Sequence, residues 1–279
     1  MNAKFLDTCE DICELAAWGL DEGVERGPIS SAESTFENAR RKLRRRETYQ
    51  PECPLLEEET NTLAPLLARH HSRVALNRDC RGLDWKLAVI DLRKLLAFQR
   101  RVSVERDDGL RLQDGENWEQ LISLAFPERK ADFTFSINPD GSDAVIRSTN
   151  PDLKLVIDSP LPAGRLSLPL LIDLGSPFIE AANYNGRWFL RDGYHRAYSL
   201  LKIGIHRVPA VVISARTIEE LGAVHPWFFD RTVLFSERPP RLVDFHDREL
   251  VLRYRRPMRE KLIRVSVEES FQPYQGAEL

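Results

Sequence analysis

The chain has 279 residues, 42% of them hydrophobic and 30% charged, with a formal net charge of −3. That length gives room for one large or two modest globular domains, and the charge balance offers no global field for nucleic acid or anionic membrane. No apolar run approaches the ~20 residues that span a bilayer, so no membrane partner is expected.

Residues 1–81 read as a helical N-terminal region. The opening MNAKFLDTCEDICELAAW is acidic and amphipathic, unlike the basic flank and apolar core of a signal peptide, so a cytoplasmic location is expected. Phe5, Leu6, Cys9, Ile12, Cys13, Leu15, Ala16 and Leu20 fall on one broad helical stripe. Ser31 or Ser34 is placed to cap a second helix carrying Phe36, Ala39, Leu43 and the basic run Arg40 to Arg46. Such a run marks either a nucleic-acid patch or a solvated face paired with nearby acids such as Glu33, Glu37 and Glu57 to Glu59. The balanced overall charge favours the second. Pro51 and Pro54 break that helix, and Leu63 to Leu76 resumes one. Its His70-His71 pair is adjacent in sequence and so points in two directions, which is no chelating face. The four cysteines, Cys9, Cys13, Cys53 and Cys80, show no metal spacing and are expected to be reduced thiols.

Residues 82–215 form the expected core. Gly82 marks its start, and Lys86 to Asp91 reads as a strand. Residues from about 104 to 160 look like an insertion, a small antiparallel sheet. Within it, Trp118 to Phe126 is a short helix, and Phe133 to Ile137 and Ala144 to Ile146 are strands joined at Asn138-Pro139-Asp140-Gly141. Leu153 to Ile157 is a further strand. Leu166 to Leu174 is an apolar helix or strand. The core's central stretch runs from Pro177 to Ser214, PFIEAANYNGRWFLRDGYHRAYSLLKIGIHRVPAVVIS. Two short strands flank Asn185-Gly186, a pair that favours the positive φ angles of a tight hairpin. The second strand enters Asp192-Gly193-Tyr194-His195-Arg196, after which Ala197, Leu200, Leu201 and Ile203 recur at helical spacing until Gly204. Val208 to Ile213 is a buried strand. A helix crossing between two strands makes them parallel neighbours, with the turn at the carboxyl end of the first. The first N–H groups of that helix lack internal partners and its dipole is positive there, so the turn reads either as an anion site or as a plain glycine turn with His195 and Arg196 solvated.

Residues 216–279 read as a β-rich C-terminal segment. A short helix starts at Thr217, and strand-like runs follow at Val233 to Phe235, Leu242 to Phe245, Leu250 to Tyr254 and Leu262 to Val265. No helix-turn-helix is visible. The fold class is thus α+β.

The stretch PFIEAANYNGRWFLRDGYHRAYSLLKIGIHRVPAVVIS resembles the central box of the ParB/sulfiredoxin superfamily. In that family a Pro-Ile/Val strand, a Gly-x-His/Arg-Arg turn, an Ala/Leu-rich helix and an Ile/Val-Pro strand follow in this order. The strand at Lys86 to Asp91 with Gln99-Arg100-Arg101 loosely resembles its first box. The resemblance implies a mixed α/β core whose turn holds nucleotide phosphates, as in the family's CTP-hydrolysing partition proteins, nucleases, an amino-acid kinase and sulfiredoxin. Two departures narrow it. Tyr194 stands where sulfiredoxin-like enzymes carry their reactive cysteine, which excludes thiolate chemistry there. The Glu-Asn-x-x-Arg motif of partition proteins is missing after Glu219-Glu220-Leu221.

The expected function is nucleotide binding, with turnover as a phosphotransferase, nucleotide hydrolase or nuclease. The alternative is a nucleotide-sensing protein that binds DNA or a protein partner without turnover. Gly193, Tyr194 and His195 would donate backbone N–H groups to phosphate, and Arg196 with His195 would neutralise charge on a transferring phosphoryl group. With a nucleoside tri- or diphosphate, Mg²⁺ is the expected companion. Asp192, Asp173, Glu180 and Asp91 are the carboxylates expected to hold it or to act as general base, because a hard cation prefers carboxylate oxygen.

Overall fold

The structure is a computed structural model describing residues 9–19, 32–104, 117–128, 132–139, 141–150, 152–157, 170–225, 227–266, 268 and 270. In chain order the elements begin with strand β1 (Cys9–Leu15) and helices α1 (Ala32–Arg45), α2 (Glu57–Thr62), α3 (Ala64–His71) and α4 (Val74–Asp79). Strands β2 (Trp85–Asp91), β3 (Leu96–Ala97) and β4 (Arg101–Ser103) follow, then helix α5 (Trp118–Ala125). Next come β5 (Thr134–Ile137), β6 (Asp143–Ser148), β7 (Lys154–Ile157), β8 (Leu170–Asp173), β9 (Glu180–Tyr184) and β10 (Arg187–Asp192). Helix α6 (Tyr194–Lys202), strand β11 (Arg207–Ser214), helices α7 (Ile218–Leu221) and α8 (Arg231–Leu234), and strands β12 (Val251–Pro257) and β13 (Lys261–Ser266) complete the chain. Both helices and several sheets are present, which makes the chain α+β.

Two compact units form: Met1–Arg129 with Ser176–Pro257, and Lys130–Gly175 with Met258–Leu279. The first unit is built on a five-stranded sheet in the order β2-β11-β9-β10-β3. Its interior strand β11, between β2 and β9, is apolar and β-branched, and every residue from Val208 to Ile213 is buried. The hairpin β9–β10 turns at Asn185 (φ 50°) and Gly186 (φ 75°), the positive pair that a two-residue hairpin turn demands. A three-stranded sheet β12-β1-β4 belongs to the same unit. The second unit holds the sheet β13-β6-β5 and the antiparallel pair β7–β8.

Several expectations are corrected. The stripe from Phe5 to Leu20 is not a helix over its described residues: Cys9–Leu15 is strand β1. The reason lies at the other end of the chain. Acids on β1 face arginines on β12 in antiparallel register, Glu10 against Arg256 at 2.7 Å and Asp11 against Arg255 at 3.5 Å. The connection from β10 through α6 does not make parallel neighbours either. β11 runs parallel to β9 on the far side of the hairpin, and so opposite to β10. A nine-residue helix spans ~13 Å, short of the ~20 Å needed to return along the six residues of β10. The chain instead crosses the hairpin sideways.

The C-terminal segment is less β-rich than expected. Arg231–Leu234 is helical because the Asp230 side chain accepts the N–H of Val233 at 2.9 Å and caps it. Leu242–His246 is a 3₁₀ turn with the Asp244 carboxylate accepting the Arg241 N–H at 2.8 Å. The open choice for Leu166 to Leu174 resolves, over its described residues, to strand β8. The helix expected from Leu63 to Leu76 is two, α3 and α4. Helix α1 begins at Ala32, so Ser34 lies inside it, and Ser31 is outside the described residues.

Candidate functional site

The turn at the end of β10 is built by two local irregularities. The hairpin register pairs Leu190 with Ala181, then skips Arg191 so that Asp192 opposes Glu180. Arg191 is the extra residue of a β-bulge, a device that re-aims side chains at a strand end. Gly193 then takes φ 85° as the N-cap of α6, and a Cβ there would meet the Ile179 Cα and Cγ1 at 3.1 Å. The positive φ favours glycine, and the close approach to Ile179 leaves little room for a side chain. The first intrahelical bond runs from the Ala197 N–H to the Gly193 carbonyl at 2.9 Å. The N–H groups of Tyr194, His195 and Arg196 precede it and share the positive end of the helix dipole.

The side chains of the turn are held from three directions. Asp192 Oδ1 accepts the Gly193 N–H at 2.5 Å. Tyr194 points inward and is 4% exposed. Its hydroxyl donates to the Leu190 carbonyl at 2.8 Å and accepts the Phe98 N–H at 3.0 Å, and burial pushes its pKa up. That side chain is a structural tie between β10 and the segment after β3. His195 Nδ1 meets the Ser103 carbonyl at 3.0 Å, so it carries the proton of a neutral imidazole or one of two in the cation. Arg196 Nη1 donates to the Leu124 carbonyl at 2.9 Å, in the last turn of α5. The Ala125 carbonyl accepts the Ile179 N–H at 3.0 Å, which docks the end of α5 beside the start of β9.

The four expected carboxylates do not converge. Glu180 is 0% exposed, ion-paired to Arg191 Nη1, and accepts the Ser176 hydroxyl at 2.5 Å. Arg191 further donates through Nε to the Glu220 carbonyl at 3.1 Å. Asp91 pairs with Arg93 at 2.6 Å, and although burial alone would raise its pKa, the Arg93 hydrogen bonds hold it below the ordinary carboxylate value. In the sheet, Glu180 lies level with Val211 and Leu87, whereas Asp91 sits opposite Arg207, two strands and four positions away. At ~4.8 Å per strand and ~3.3 Å per residue, one ion cannot bridge them. Asp173 belongs to the second unit, where Oδ1 accepts the Gly175 N–H at 3.2 Å. Among the described residues no three His, Cys, Asp or Glu side chains gather into a metal-holding group. The acid at the turn itself is Asp192.

Sequence reasoning missed Arg191 and the two carbonyls, of Ser103 and Leu124, that hold the cationic side chains. A signal for Arg191 was present. An Asn185-Gly186 turn fixes the hairpin register, and a regular register puts Arg191 opposite Glu180. The carbonyls carry no such signal, because any residue supplies one. Comparison with family models, with curated proteins and with solved structures yields no match.

Proposed function

We propose that the first unit binds a phosphate-bearing ligand, in first place a nucleoside di- or triphosphate, at the turn from Asp192 to Arg196, in the manner of the ParB/sulfiredoxin-like module that the central stretch resembles. One observation carries the reading. The first turn of α6 presents Arg196 and His195 already fixed by backbone carbonyls of α5 and of β4. A pre-ordered cation beside helix N–H groups loses little entropy when an anion arrives, and the planar fork of a guanidinium matches two phosphate oxygens. The order of hairpin, glycine turn, helix and buried strand agrees with that module.

Magnesium fits this reading in a limited way. The ion keeps most of its waters and binds through one or two carboxylates plus substrate phosphates. Asp192, whose Oδ1 also accepts the Gly193 N–H, would supply one such carboxylate; Glu180 and Asp91 are engaged by Arg191 and Arg93. Asp192 beside a bare phosphate is repulsive, and a divalent cation between them removes the repulsion. Nucleotide affinity should therefore rise with Mg²⁺. Transfer or hydrolysis would use Asp192 as base or metal ligand and Arg196 and His195 as charge stabilisers. The engagement of the other acids favours a second reading, binding without turnover, by a protein that senses nucleotide for a DNA or protein partner. Calorimetric titration with a panel of nucleotides, with and without Mg²⁺, tests the binding. Steady-state phosphate release from the same nucleotides separates turnover from sensing. No heat with any nucleotide, in a folded protein, would overturn the proposal.

A further inference from the structure

The basic run Arg40 to Arg46 is divided between two faces of α1. Lys42 and Arg46 turn toward the body of the first unit. Lys42 pairs with Asp247 at 2.6 Å and Glu249 at 2.5 Å. Arg46 pairs with Asp244 at 2.8 Å and donates to the Pro239 carbonyl at 2.5 Å. Ala39 is buried with Ala16, Ala17 and Leu250, and Phe36 and Leu43 pack against them. Arg40, Arg41, Arg44 and Arg45 lie on the opposite side at helical spacing and are exposed. Arg41 donates to Asn38 on the same helix at 2.8 Å, and among the described residues no carboxylate pairs with any of the four. Four like charges within two turns of one helix repel one another. That cost falls when an extended anion lies along them.

A second observation adjoins this face. Arg44 and Leu43 form one side of an open cleft of about 350 Å³, whose other walls include Trp18, Val233, Glu237 and Arg238. The volume is within the range of small-ligand pockets, ~300–1,000 Å³. The Trp18 indole is fixed: Nε1 donates to the Arg238 carbonyl at 3.2 Å, and Arg46 lies 5.6 Å from the ring centre. With Arg46 over its ring and Phe229 against it at 5.9 Å, the indole sets an aromatic wall beside positive charge, and single-stranded nucleic acids use aromatic and cationic groups together.

We propose that this exposed face of α1 and the adjoining Trp18 cleft hold a single-stranded nucleic acid, with backbone phosphates along Arg40, Arg41, Arg44 and Arg45 and an unstacked base in the cleft. A duplex keeps its bases stacked and gains nothing from the cleft. The site shares no residue with the α6 turn and does not depend on nucleotide binding there.

Fluorescence anisotropy of a labelled oligonucleotide of about 12 nucleotides tests it on the full chain. Four phosphate contacts at ~−0.7 each give a slope of log K against log salt of about −3, and the single strand should bind more tightly than the duplex. Arg40→Glu with Arg44→Glu should weaken binding at least about tenfold and flatten the slope. Arg81→Glu with Lys86→Glu makes the same change in net charge at exposed positions elsewhere and should leave affinity within about twofold. Trp18→Phe should narrow the preference for single strand over duplex. Thermal melts of each variant confirm folding. No binding by the wild-type chain at low salt overturns the proposal, as does an equal loss in both charge-reversal variants. An unchanged strand preference in folded Trp18→Phe overturns the cleft's part in it.

Discussion

Gly193 answers to two constraints that one substitution tests together. Its φ of 85° is strained for any side chain, and a Cβ would press on the Ile179 backbone at 3.1 Å. Gly193→Ala should therefore cost about 1–3 kcal/mol of stability, read as a lower urea midpoint at unchanged slope. Any fall in ligand affinity would follow from displacement of the helix start. Arg196 makes the opposite forecast. It is half-buried and donates to the Leu124 carbonyl at 2.9 Å. Arg196→Ala should cost only about 0.5–1.5 kcal/mol of stability while weakening nucleotide binding about ten- to a hundredfold. Arg196→Lys should recover part of that, since lysine lacks the planar fork. A large fall in melting temperature with unchanged affinity would contradict it.

The cysteines sort by burial at the same scale. Burial pushes the Cys13 thiol up to about 11 and the Cys80 thiol up to about 12, so both are poor nucleophiles at neutral pH. Cys53 is exposed. A thiol reagent at pH 8 should label Cys53 rapidly, and Cys13 and Cys80 only as the chain unfolds. Fast labelling of Cys80 in the native protein would show that its surroundings are open. Because both thiols ionise more readily in the unfolded chain, their contribution to stability is complete below about pH 9 and is lost as pH rises through the raised folded values.

At the scale of elements, local signals were legible and long-range ones were not. The hairpin β9–β10, helix α6 and strand β11 follow from Asn185-Gly186, Gly193, Gly204 and a run of β-branched residues, each signal local to the element it shapes. Strand β1 could not be read that way. Its spacing suits a helix equally well, and the deciding partner, β12, lies more than two hundred residues later. The same distance hides the acids of the basic run. Glu33, Glu37 and Glu57 to Glu59 were the nearest in sequence, yet Asp244, Asp247 and Glu249 engage Arg46 and Lys42. At the turn, residue identities were legible but engagement was not. The hairpin register hints that Arg191 meets Glu180, but nothing in the sequence alone says that Asp173 lies in another unit.

Helix α6 has a pH-sensitive neighbour. His246, on the 3₁₀ turn, stacks on Tyr198 of α6 with ring centres 4.4 Å apart. Burial, with Arg253 nearby, lowers its pKa below the ordinary histidine value. The unfolded chain therefore takes up the proton first. Stability from this group is complete above about pH 6.5 and is lost as pH falls through the depressed folded value. His70 is lowered by burial too and acts in the same direction. His246→Phe keeps a ring against Tyr198 and should reduce the acid loss, seen in urea midpoints from about pH 7 to 5. An unchanged acid limb would assign the loss to other groups.

At the scale of the molecule, each unit has its own architecture. The first carries the large core and both proposed sites. The second is thin: Phe135 and Ile137 on β5 are 54% and 59% exposed, and Leu262 on β13 is exposed with them. No helix is long and apolar enough to cross a membrane among the described residues. The near-neutral net charge of −3 means that anion binding must come from local geometry rather than from the overall field. A phosphate site at α6 should accordingly persist in moderate salt, because backbone N–H groups and a fixed guanidinium act at contact distance, whereas binding along the exposed arginines of α1 should weaken steeply. The proposed phosphate site is tested most directly by two-dimensional ¹H–¹⁵N spectra recorded while a nucleoside triphosphate and Mg²⁺ are titrated in. The largest amide shifts should fall on Gly193, Tyr194, His195 and Arg196 and disappear in the Arg196→Ala variant. Saturable shifts confined to other residues, with those four amides unmoved, would contradict it.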